Sequence, residues 1–318
     1  MPPDVSVVIP THNRRAYLEG AIQSCLTGND AIDVEVIVVD DGSTDGTREY
    51  LRALDDERVR PFFQEHQGAQ RARNRGLDEA EGWAIKFLDD DDYLLPGALA
   101  DQHALLKTSG VDVCYGDHRA YSEADDETLY TANNDRFENF FVGVATWKVK
   151  RNPLIFLFRR AAIAQVRWDE SLDYHQDVAF MLDAGSQHLT CRKLEAIVAV
   201  RRVHENGSIS ETRSEAPAAS KRNLRGEMYW SAYQQLAANG PVSAAHRRAA
   251  AAGLWRQAHL LAPLSFRDFT KWYEKAMVAD PAFLPPRRNA LLEMLDRVAS
   301  PKLTEWLINP IRRTNLKG

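Results

Sequence analysis

The sequence predicts an α/β fold in which an open, mostly parallel sheet is followed by a C-terminal helical extension. Short β-branched runs alternate with amphipathic stretches over the first hundred residues, a pattern typical of βαβ units. Residues 211–219 are small and polar, which predicts a linker. Residues 220–318 have helical periodicity, so we expect a helical C-terminal region after the linker.

Three buried strands are predicted in the first half of the sheet. VSVVIP (5–10) is β-branched and ends at a proline, as expected of a strand buried on both faces. VEVIVVD (34–40) has the same character, and WAIKFL (83–88) is the third run. Helices are predicted between them and just after the third strand, over the stretch before Gly28, residues 48–54, residues 69–80 and residues 97–107.

The pattern after residue 110 is less regular. It predicts a strand over 111–117, no clean period over 118–150, and then a strand running into a helix over 152–166. A helix over 177–186 and a strand over 194–204 follow. We therefore predict one domain over residues 1–210, with a ligand-binding half at 1–117 and a second half at 118–210.

Composition limits the class of protein. A chain of 318 residues with 44% hydrophobic and 27% charged residues is long and apolar enough for a folded core. No apolar run approaches the roughly 18 residues of a membrane span. The first apolar run follows no basic segment, so it predicts a strand and not a signal peptide. The scattered Cys25, Cys114 and Cys191 form no disulfide framework, and we expect a cytoplasmic protein.

Charge is divided unevenly along the chain. From residue 218 onward there are 16 lysines and arginines against 7 acidic residues, whereas the net charge of the whole chain is −5. The acidic body argues against nucleic-acid binding and favours cation binding. The basic C-terminal helices could make peripheral membrane contact at the inner face of a membrane, form a homodimer, or present a plain solvated surface.

Four consecutive aspartates end the third strand, in KFLDDDDYLLP (86–96). Such a run can be a solvated turn. However, the carboxyl edge of an open α/β sheet is where ligands bind, which favours a functional role. His12, His66 and His103 have no metal-ligand spacing with one another and are interpreted as incidental.

Four motifs occur in register: SVVIPTHNR, VVDDGSTDGT, ARNRGL and FLDDDDYLLPGAL. Over residues 4–210 the chain resembles family 2 glycosyltransferases with the GT-A fold. The resemblance implies transfer of a sugar from a nucleotide-diphosphate sugar, most often a UDP-sugar, with inversion and with Mn²⁺ or Mg²⁺. The implied acceptor is a hydroxyl of a saccharide or lipid-linked saccharide, in polysaccharide, lipopolysaccharide or glycoconjugate biosynthesis.

The resemblance also implies which residues hold the metal. Asp91 aligns with the principal metal ligand, and Asp89 with the residue that faces the ribose or the metal. Asp90 takes the variable position among the donor-binding residues, although Asp90 and Asp92 could instead cap the following helix. His204, after the last strand, matches a histidine that coordinates the metal or binds the diphosphate.

The resemblance implies that residues 1–117 are the nucleotide-binding half of the domain and residues 118–210 the acceptor-binding half. Donor contacts are implied at three places. The first turn provides the nucleoside contacts, Asp41 accepts a hydrogen bond from the base, and a pair on the third helix lies over the nucleotide. Arg14 in the first turn could reach a phosphate, as could Arg201 and Arg202. The remaining implied donor-binding residues are Pro10, Thr11, Asn13, Arg73 and Asn74.

The base that deprotonates the acceptor is implied in WDESLDYHQDVAFMLDAG, where Asp177 matches the second acidic position of the family motif. Gln176 replaces the first acidic residue, which puts one acceptor contact in doubt. Asp173 or His175 would be next in line, and Asp177 could instead be only an N-cap. Residues 208–210 could begin a mobile lid.

Two other functions remain open. A nucleotidyltransferase shares the α/β layout and the acidic ligands, but it would normally have a glycine-rich phosphate loop where this chain has PTHNRRAY. A non-catalytic nucleotide-sugar-binding protein would be expected to lack the aspartate run or Asp177, whereas this sequence contains both.

Overall fold

The computed structural model describes residues 2–149, 152–204, 216–286, 290–298 and 300–315. The chain forms two compact units, which we call the sheet unit and the helical unit. The sheet unit comprises Met1–Phe140, Lys148–Ala184 and Leu189–Ser214. The helical unit comprises Phe141–Trp147, Gly185–His188 and Glu215–Gly318.

The sheet unit contains nine strands within the described residues. They are β1 (Val5–Thr11), β2 (Val34–Asp41), β3 (Val59–Gln64), β4 (Ala84–Phe87), β5 (Tyr93–Leu94), β6 (Val113–Ser122), β7 (Glu127–Ala132), β8 (Phe156–Arg159) and β9 (Cys191–Val203). Their order is β3-β2-β1-β4-β8-β6-β9-β5, with β7 beside β6. Strands β1 to β4, β6 and β9 run in one direction, and β5, β7 and β8 run in the other. The predicted α/β class is confirmed.

Helices connect the strands of the parallel half, as the alternation predicted. They are α1 (Arg15–Leu26), α2 (Thr47–Ala53), α3 (Ala69–Glu79) and α4 (Ala98–Ser109), followed later by α5 (Phe140–Ala145) and α6 (Gln176–Gly185). Helix α3 lies against β1 at Gly76, where a Cβ atom would be 2.3 Å from Cγ1 of Val8. A glycine is therefore required for this close approach.

Three strands were not predicted. β3 contains a proline and lies at the sheet edge, β5 has only two residues, and β7 is exposed except at its last residue. None of them shows the apolar alternation that identifies a strand from sequence. The helix predicted to follow β8 is wrong, because Arg160–Ile163 forms only a 3-10 turn.

Helices also make up the described C-terminal residues. They are α7 (Ala218–Asn239), α8 (Ala244–Leu261), α9 (Phe266–Ala279), α10 (Ala290–Val298) and α11 (Pro301–Asn315). Trp272 packs on Gly226, and its indole N–H donates to Oδ1 of Asn223 at 2.7 Å. Within the predicted linker, residues 211–215 lie outside the described residues, and Ala218 already belongs to α7. No helix among the described residues is both long and apolar enough to span a membrane.

Candidate functional site

A cleft of about 770 Å³ opens at the carboxyl edge of the parallel strands in the sheet unit. The ends of β1, β2 and β4 meet there because parallel strands share one carboxyl edge. The structure brings ten of the predicted site residues to the wall of this cleft: Pro10, Thr11, Arg14, Asp41, Arg73, Asp89, Asp90, Asp91, Asp177 and His204. Two predicted donor contacts, Asn13 and Asn74, are not part of the wall.

Asp90 and Asp92 are buried in the wall of the cleft and accept hydrogen bonds from neighbouring strands. The hydroxyl of Thr11 donates to Oδ2 of Asp90 at 2.7 Å, and the backbone N–H of Arg202 donates to Oδ1 of Asp92 at 2.8 Å. Burial raises the pKa of Asp90 to about 7 and raises the pKa of Asp92 well above its usual range. The capping alternative is wrong, because α4 begins at Ala98 and the residue before it, a glycine, makes no side-chain cap.

Asp89 and Asp91 each contact a cation. Oδ1 of Asp89 lies 2.5 Å from Nη2 of Arg73. Oδ2 of Asp91 contacts the Arg14 guanidinium and lies 3.0 Å from Nε2 of His204. Arg14, predicted to reach a phosphate, is therefore engaged with the candidate metal ligand in this structure.

The carboxylates form a donor set that suits a divalent cation. One oxygen each of Asp89, Asp91 and Asp92 lies within 4.8 Å of the others. Hard oxygen ligands of this kind are those that Mg²⁺ and Mn²⁺ prefer. Arg14 and His204 both contact Oδ2 of Asp91, so a bound cation would share this carboxylate with them. His204 reaches the cluster only through Asp91 and does not belong to the three-carboxylate group.

Asp41 organises the loop after β3. Its carboxylate accepts hydrogen bonds from Nε2 of Gln64 and the backbone N–H groups of Gln67 and Gly68, each at 2.8 Å. Burial alone would raise the pKa of Asp41, but these hydrogen bonds outweigh it and the pKa is lowered. The Asp41 side chain is 3% exposed, and both of its carboxylate oxygens already accept hydrogen bonds from the protein. The predicted hydrogen bond from the base would have to be made by the same oxygens.

Two histidines that the sequence analysis treated as incidental line the cleft. The rings of His12 and His66 stack with centroids 4.1 Å apart, and the Nδ1 atoms of both lie within 3.1 Å of the carbonyl oxygen of Asp41. Sequence reasoning missed them because it searched for metal-ligand spacing along the chain, whereas only the fold brings the two imidazoles and Asp41 within 4.8 Å of one another. The useful signal was position, since His12 directly follows Thr11 at the end of β1.

Asn13 and Asn74 connect segments of the wall. Asn13, at a φ of 54°, accepts from the backbone N–H of Thr44 at 2.7 Å and so joins the first two turns. Oδ1 of Asn74 accepts from the N–H of Trp168 at 2.8 Å, and its Nδ2 donates to the carbonyl of the same residue at 2.9 Å. Asn74 thereby attaches helix α3 to the segment that precedes α6.

Arg73 is the most buried cation of the wall, at 6% exposure. Its guanidinium lies 4.5 Å from the centroid of the Trp168 ring, and its Nε and Nη1 atoms make no hydrogen bond within the described chain. Burial opposes the charge, but Asp89 and Asp177 favour it, and the pKa of Arg73 is raised above its ordinary value. The positive charge of Arg73 therefore interacts both with Asp89, in the aspartate cluster, and with Asp177.

Asp177 is the second residue of α6 and lines the cleft. The residue before the helix is His175, so the N-cap position does not belong to Asp177. Gln176 and Asp173 line the same wall, and Nε2 of Gln176 donates to the carbonyl of Leu172 at 3.2 Å. Arg201 and Arg202 also reach the cleft, whereas the predicted lid at residues 208–210 lies outside the described residues.

The fold is that of the GT-A class of nucleotide-sugar transferases. Residues 1–349 of Staphylococcus aureus TarS in complex with UDP-GlcNAc align with a TM-score of 0.72, over 98% of this chain and 92% of that chain, at 19% identity. The mannosyltransferase PcManGT of Pyrobaculum calidifontis, in complex with GDP-Man and Mn²⁺, aligns with a TM-score of 0.51, over 97% and 87%, at 16% identity. At these identities the likeness establishes the fold alone.

The family model of glycosyl transferase family 2 matches residues 6–172, more than half of the chain. The chain belongs to this family, as its motifs predicted. It is 45% identical over 102 residues to a β-1,3-glucosyltransferase of Campylobacter jejuni that acts on GalNAc(5)-diNAcBac-PP-undecaprenol, covering 31% of this chain and 33% of that protein. It is 31% identical over 194 residues to the succinoglycan biosynthesis protein ExoU of Rhizobium meliloti, covering 55% of each. The matches span a third to about half of these relatives.

Proposed function

We propose that the protein is an inverting glycosyltransferase that moves a sugar from a UDP-sugar to a hydroxyl acceptor during glycan biosynthesis. The observation that supports this most is the convergence, in one cleft, of Asp89, Asp91 and Asp92 with Asp177. The first three suit a cation beside a diphosphate, and the fourth suits proton transfer. UDP-GlcNAc in TarS and GDP-Man with Mn²⁺ in PcManGT are donors of the proposed class.

The donor would lie along the ends of β1, β2 and β4. Thr11, His12 and the loop held by Asp41 offer polar and stacking contacts to a nucleoside. Asp91 and Asp89 would hold Mg²⁺ or Mn²⁺, which when bound neutralises charge on the leaving diphosphate. With a divalent cation held by Asp91, Arg14 would contact a phosphate oxygen of the donor in place of that carboxylate.

The acceptor hydroxyl would approach from the side of α6. The Asp177 carboxylate removes the proton as the hydroxyl oxygen attacks the anomeric carbon. The Arg73 guanidinium is attracted by this carboxylate and so provides a positive charge on the acceptor side of the cleft. A single displacement in which the acceptor attacks opposite the diphosphate inverts the configuration of the anomeric carbon.

The test begins with ligand binding. The thermal shift of the full chain is measured with UDP, GDP and UDP-GlcNAc, each with and without Mn²⁺, because a ligand that binds the folded state raises Tm. We expect UDP with Mn²⁺ to give the largest shift. Equal shifts with GDP would contradict the assignment of uridine, and no shift with any nucleotide would contradict the proposed function.

Asp91→Asn tests the metal role, and Asp55→Asn serves as an exposed control. The activity measured is release of UDP from UDP-sugars in the presence of acceptor mixtures. We expect Asp91→Asn to lower the rate by at least about 100-fold and Asp55→Asn to leave it unchanged. Retained turnover of Asp91→Asn with Mn²⁺ would overturn the metal assignment. Release of pyrophosphate from UTP and a sugar 1-phosphate, with no release of UDP from UDP-sugars, would favour the nucleotidyltransferase alternative.

A further inference from the structure

We propose that strands β7, β6 and β9 form an acceptor subsite that binds a saccharide carrying a carboxylate or phosphate, with Tyr130 and Arg201 as its principal contacts. This inference rests on the proposed function, because it assigns the acceptor side of the same cleft.

The two residues lie in one row across three strands. Tyr130 on β7 is paired with Ala120 on β6, and Ala120 is paired in turn with Arg201 on β9. Directly paired residues project on the same face of a sheet, and neighbouring strands are about 4.8 Å apart. Tyr130 and Arg201 therefore flank a small side chain at two strand spacings, about 10 Å. Ala120 between them is fully buried, and the side chains of Tyr130 and Arg201 both line the cleft above it, at a separation that accommodates one sugar ring.

Tyr130 provides an aromatic surface at one end of the row. It is 45% exposed and lines the cleft, on a strand that pairs with β6 and with no other strand among the described residues. His118, two residues before Ala120, lines the cleft on the same face, and its ring centroid is 6.4 Å from that of Tyr130. Because the ring lies in a polar cleft, its exposed face is available to pack against the apolar face of a sugar ring.

Arg201 provides a cation at the other end. It lines the cleft, and within the described chain its guanidinium has neither a hydrogen bond nor an ion pair, whereas Arg14 and Arg73 are each paired with an aspartate. A guanidinium presents a planar set of donors that matches a carboxylate or phosphate. An anionic group on the saccharide satisfies it, and a neutral sugar leaves it unpaired.

The row formed by Tyr130, Ala120 and Arg201 also lies close to the proposed donor site. The next residue of β9, Arg202, donates its backbone N–H to Asp92, so Arg201 is adjacent to the aspartate cluster. A saccharide on the row thus lies beside the proposed donor diphosphate. Such a placement is needed for an acceptor hydroxyl to reach an anomeric carbon.

The test uses the full chain loaded with UDP and Mn²⁺ and measures the affinity of three probes by ligand-observed NMR. The probes are methyl β-glucoside, methyl β-glucuronide and glucose 6-phosphate, which separate a neutral sugar, a carboxylate and a phosphate. We expect one anionic probe to bind about tenfold more tightly than the glucoside. Arg201→Gln should remove that difference, and Tyr130→Ala should weaken all three probes about tenfold.

Leu129→Ala is the matched control, because Leu129 is the preceding residue, is 43% exposed and does not line the cleft. It should bind the probes as the wild type does, and the UDP-dependent thermal shift should be the same in all variants. Wild-type failure to bind any probe while UDP still stabilises it would overturn the subsite alone. Loss of the UDP shift in Arg201→Gln would assign Arg201 to the donor diphosphate and overturn its acceptor role. Absence of the UDP shift in the wild type would instead overturn the proposed function.

Discussion

Nε2 of His204 lies 3.0 Å from Oδ2 of Asp91, although 113 positions separate the two residues in the chain. The residue that directly follows β9 thus contacts the candidate metal ligand. Partners that orient a ligand typically contribute about 10- to 100-fold to metal affinity or activity. We expect His204→Ala to raise the Mn²⁺ concentration needed for half-maximal UDP release by that factor.

The matched variant is His204→Asn, which retains a hydrogen-bond donor and should recover part of the loss. The measurement is a titration of initial rate against Mn²⁺. An unchanged midpoint in His204→Ala would show that the contact with Asp91 has no part in metal binding.

Asp177→Asn should lower turnover by about 100- to 10,000-fold, because general-base catalysis contributes that much and an amide cannot accept the proton. The affinity for UDP should be nearly unchanged, since the residue belongs to the acceptor side of the cleft. Rates and UDP binding are measured on the same preparation. Asp173→Asn is the comparison: a greater loss there would move the base to the loop before α6.

Arg73→Met should destabilise the protein by about 1.5 to 3 kcal/mol, because the buried guanidinium is replaced and its charge-assisted hydrogen bond to the half-exposed Asp89 carboxylate is lost. Arg71→Met on the same helix is the control. Its side chain is 56% exposed and lies 3.8 Å from Glu170, so the change should cost less than about 1 kcal/mol. Urea unfolding measures both free energies, and equal losses would contradict a special role for Arg73.

Asp41→Asn should lower the free energy of unfolding at pH 7 by about 1 to 3 kcal/mol, because the loop after β3 loses charge-assisted hydrogen bonds. The pKa of Asp41 is lowered in the folded protein, so the folded state binds fewer protons than the unfolded chain. Its stabilisation is therefore full above the ordinary pKa and is lost as pH falls through the folded value. The difference between wild type and variant should shrink in acid, and a constant difference would contradict this.

Lys86→Met tests a buried amine in the centre of the sheet. Lys86 is fully buried on β4 and donates to Oε1 of Gln102 at 2.7 Å, and burial lowers its pKa to about 7. Between pH 7 and the ordinary pKa of about 10.4, the unfolded chain binds the proton and the folded state does not, so wild-type stability rises with pH.

The methionine variant lacks this titration. Its stability relative to the wild type should therefore fall by more than about 2 kcal/mol between pH 7 and pH 10, as measured by urea unfolding at several pH values. A pH-independent difference would show that Lys86 stays protonated in the core.

The sequence was sufficient for those parts of the fold in which buried strands end in polar motifs. β1, β2 and β4 are short, mostly apolar runs, and the residues at or just after their carboxyl ends line the cleft. β7 could not be predicted, because its exposed residues have no apolar period and its strand character depends on pairing with β6.

The sequence predicted which residues lie near the site, but it did not predict which residues they contact. Asp91 and Arg14 are 77 residues apart, and nothing local indicates that they pair. Asn74 was expected to contact the nucleotide, yet its amide binds the backbone of Trp168, 94 residues away. Whether a polar side chain meets a ligand or a distant backbone depends on tertiary packing, which local patterns do not encode.

The absent side chain at Gly76 has a consequence for chemistry as well as for packing. Gly76 sets the distance between α3 and β1, and Arg73 and Asn74 stand one turn earlier on the same helix. A displacement of the helix at Gly76 would also move Arg73 and Asn74. It would thereby disturb their contacts with Asp89 and with the segment that precedes α6. In the proposed reaction, the alignment of the leaving group and the incoming hydroxyl would therefore depend on the absence of a side chain at Gly76, a position outside the cleft wall.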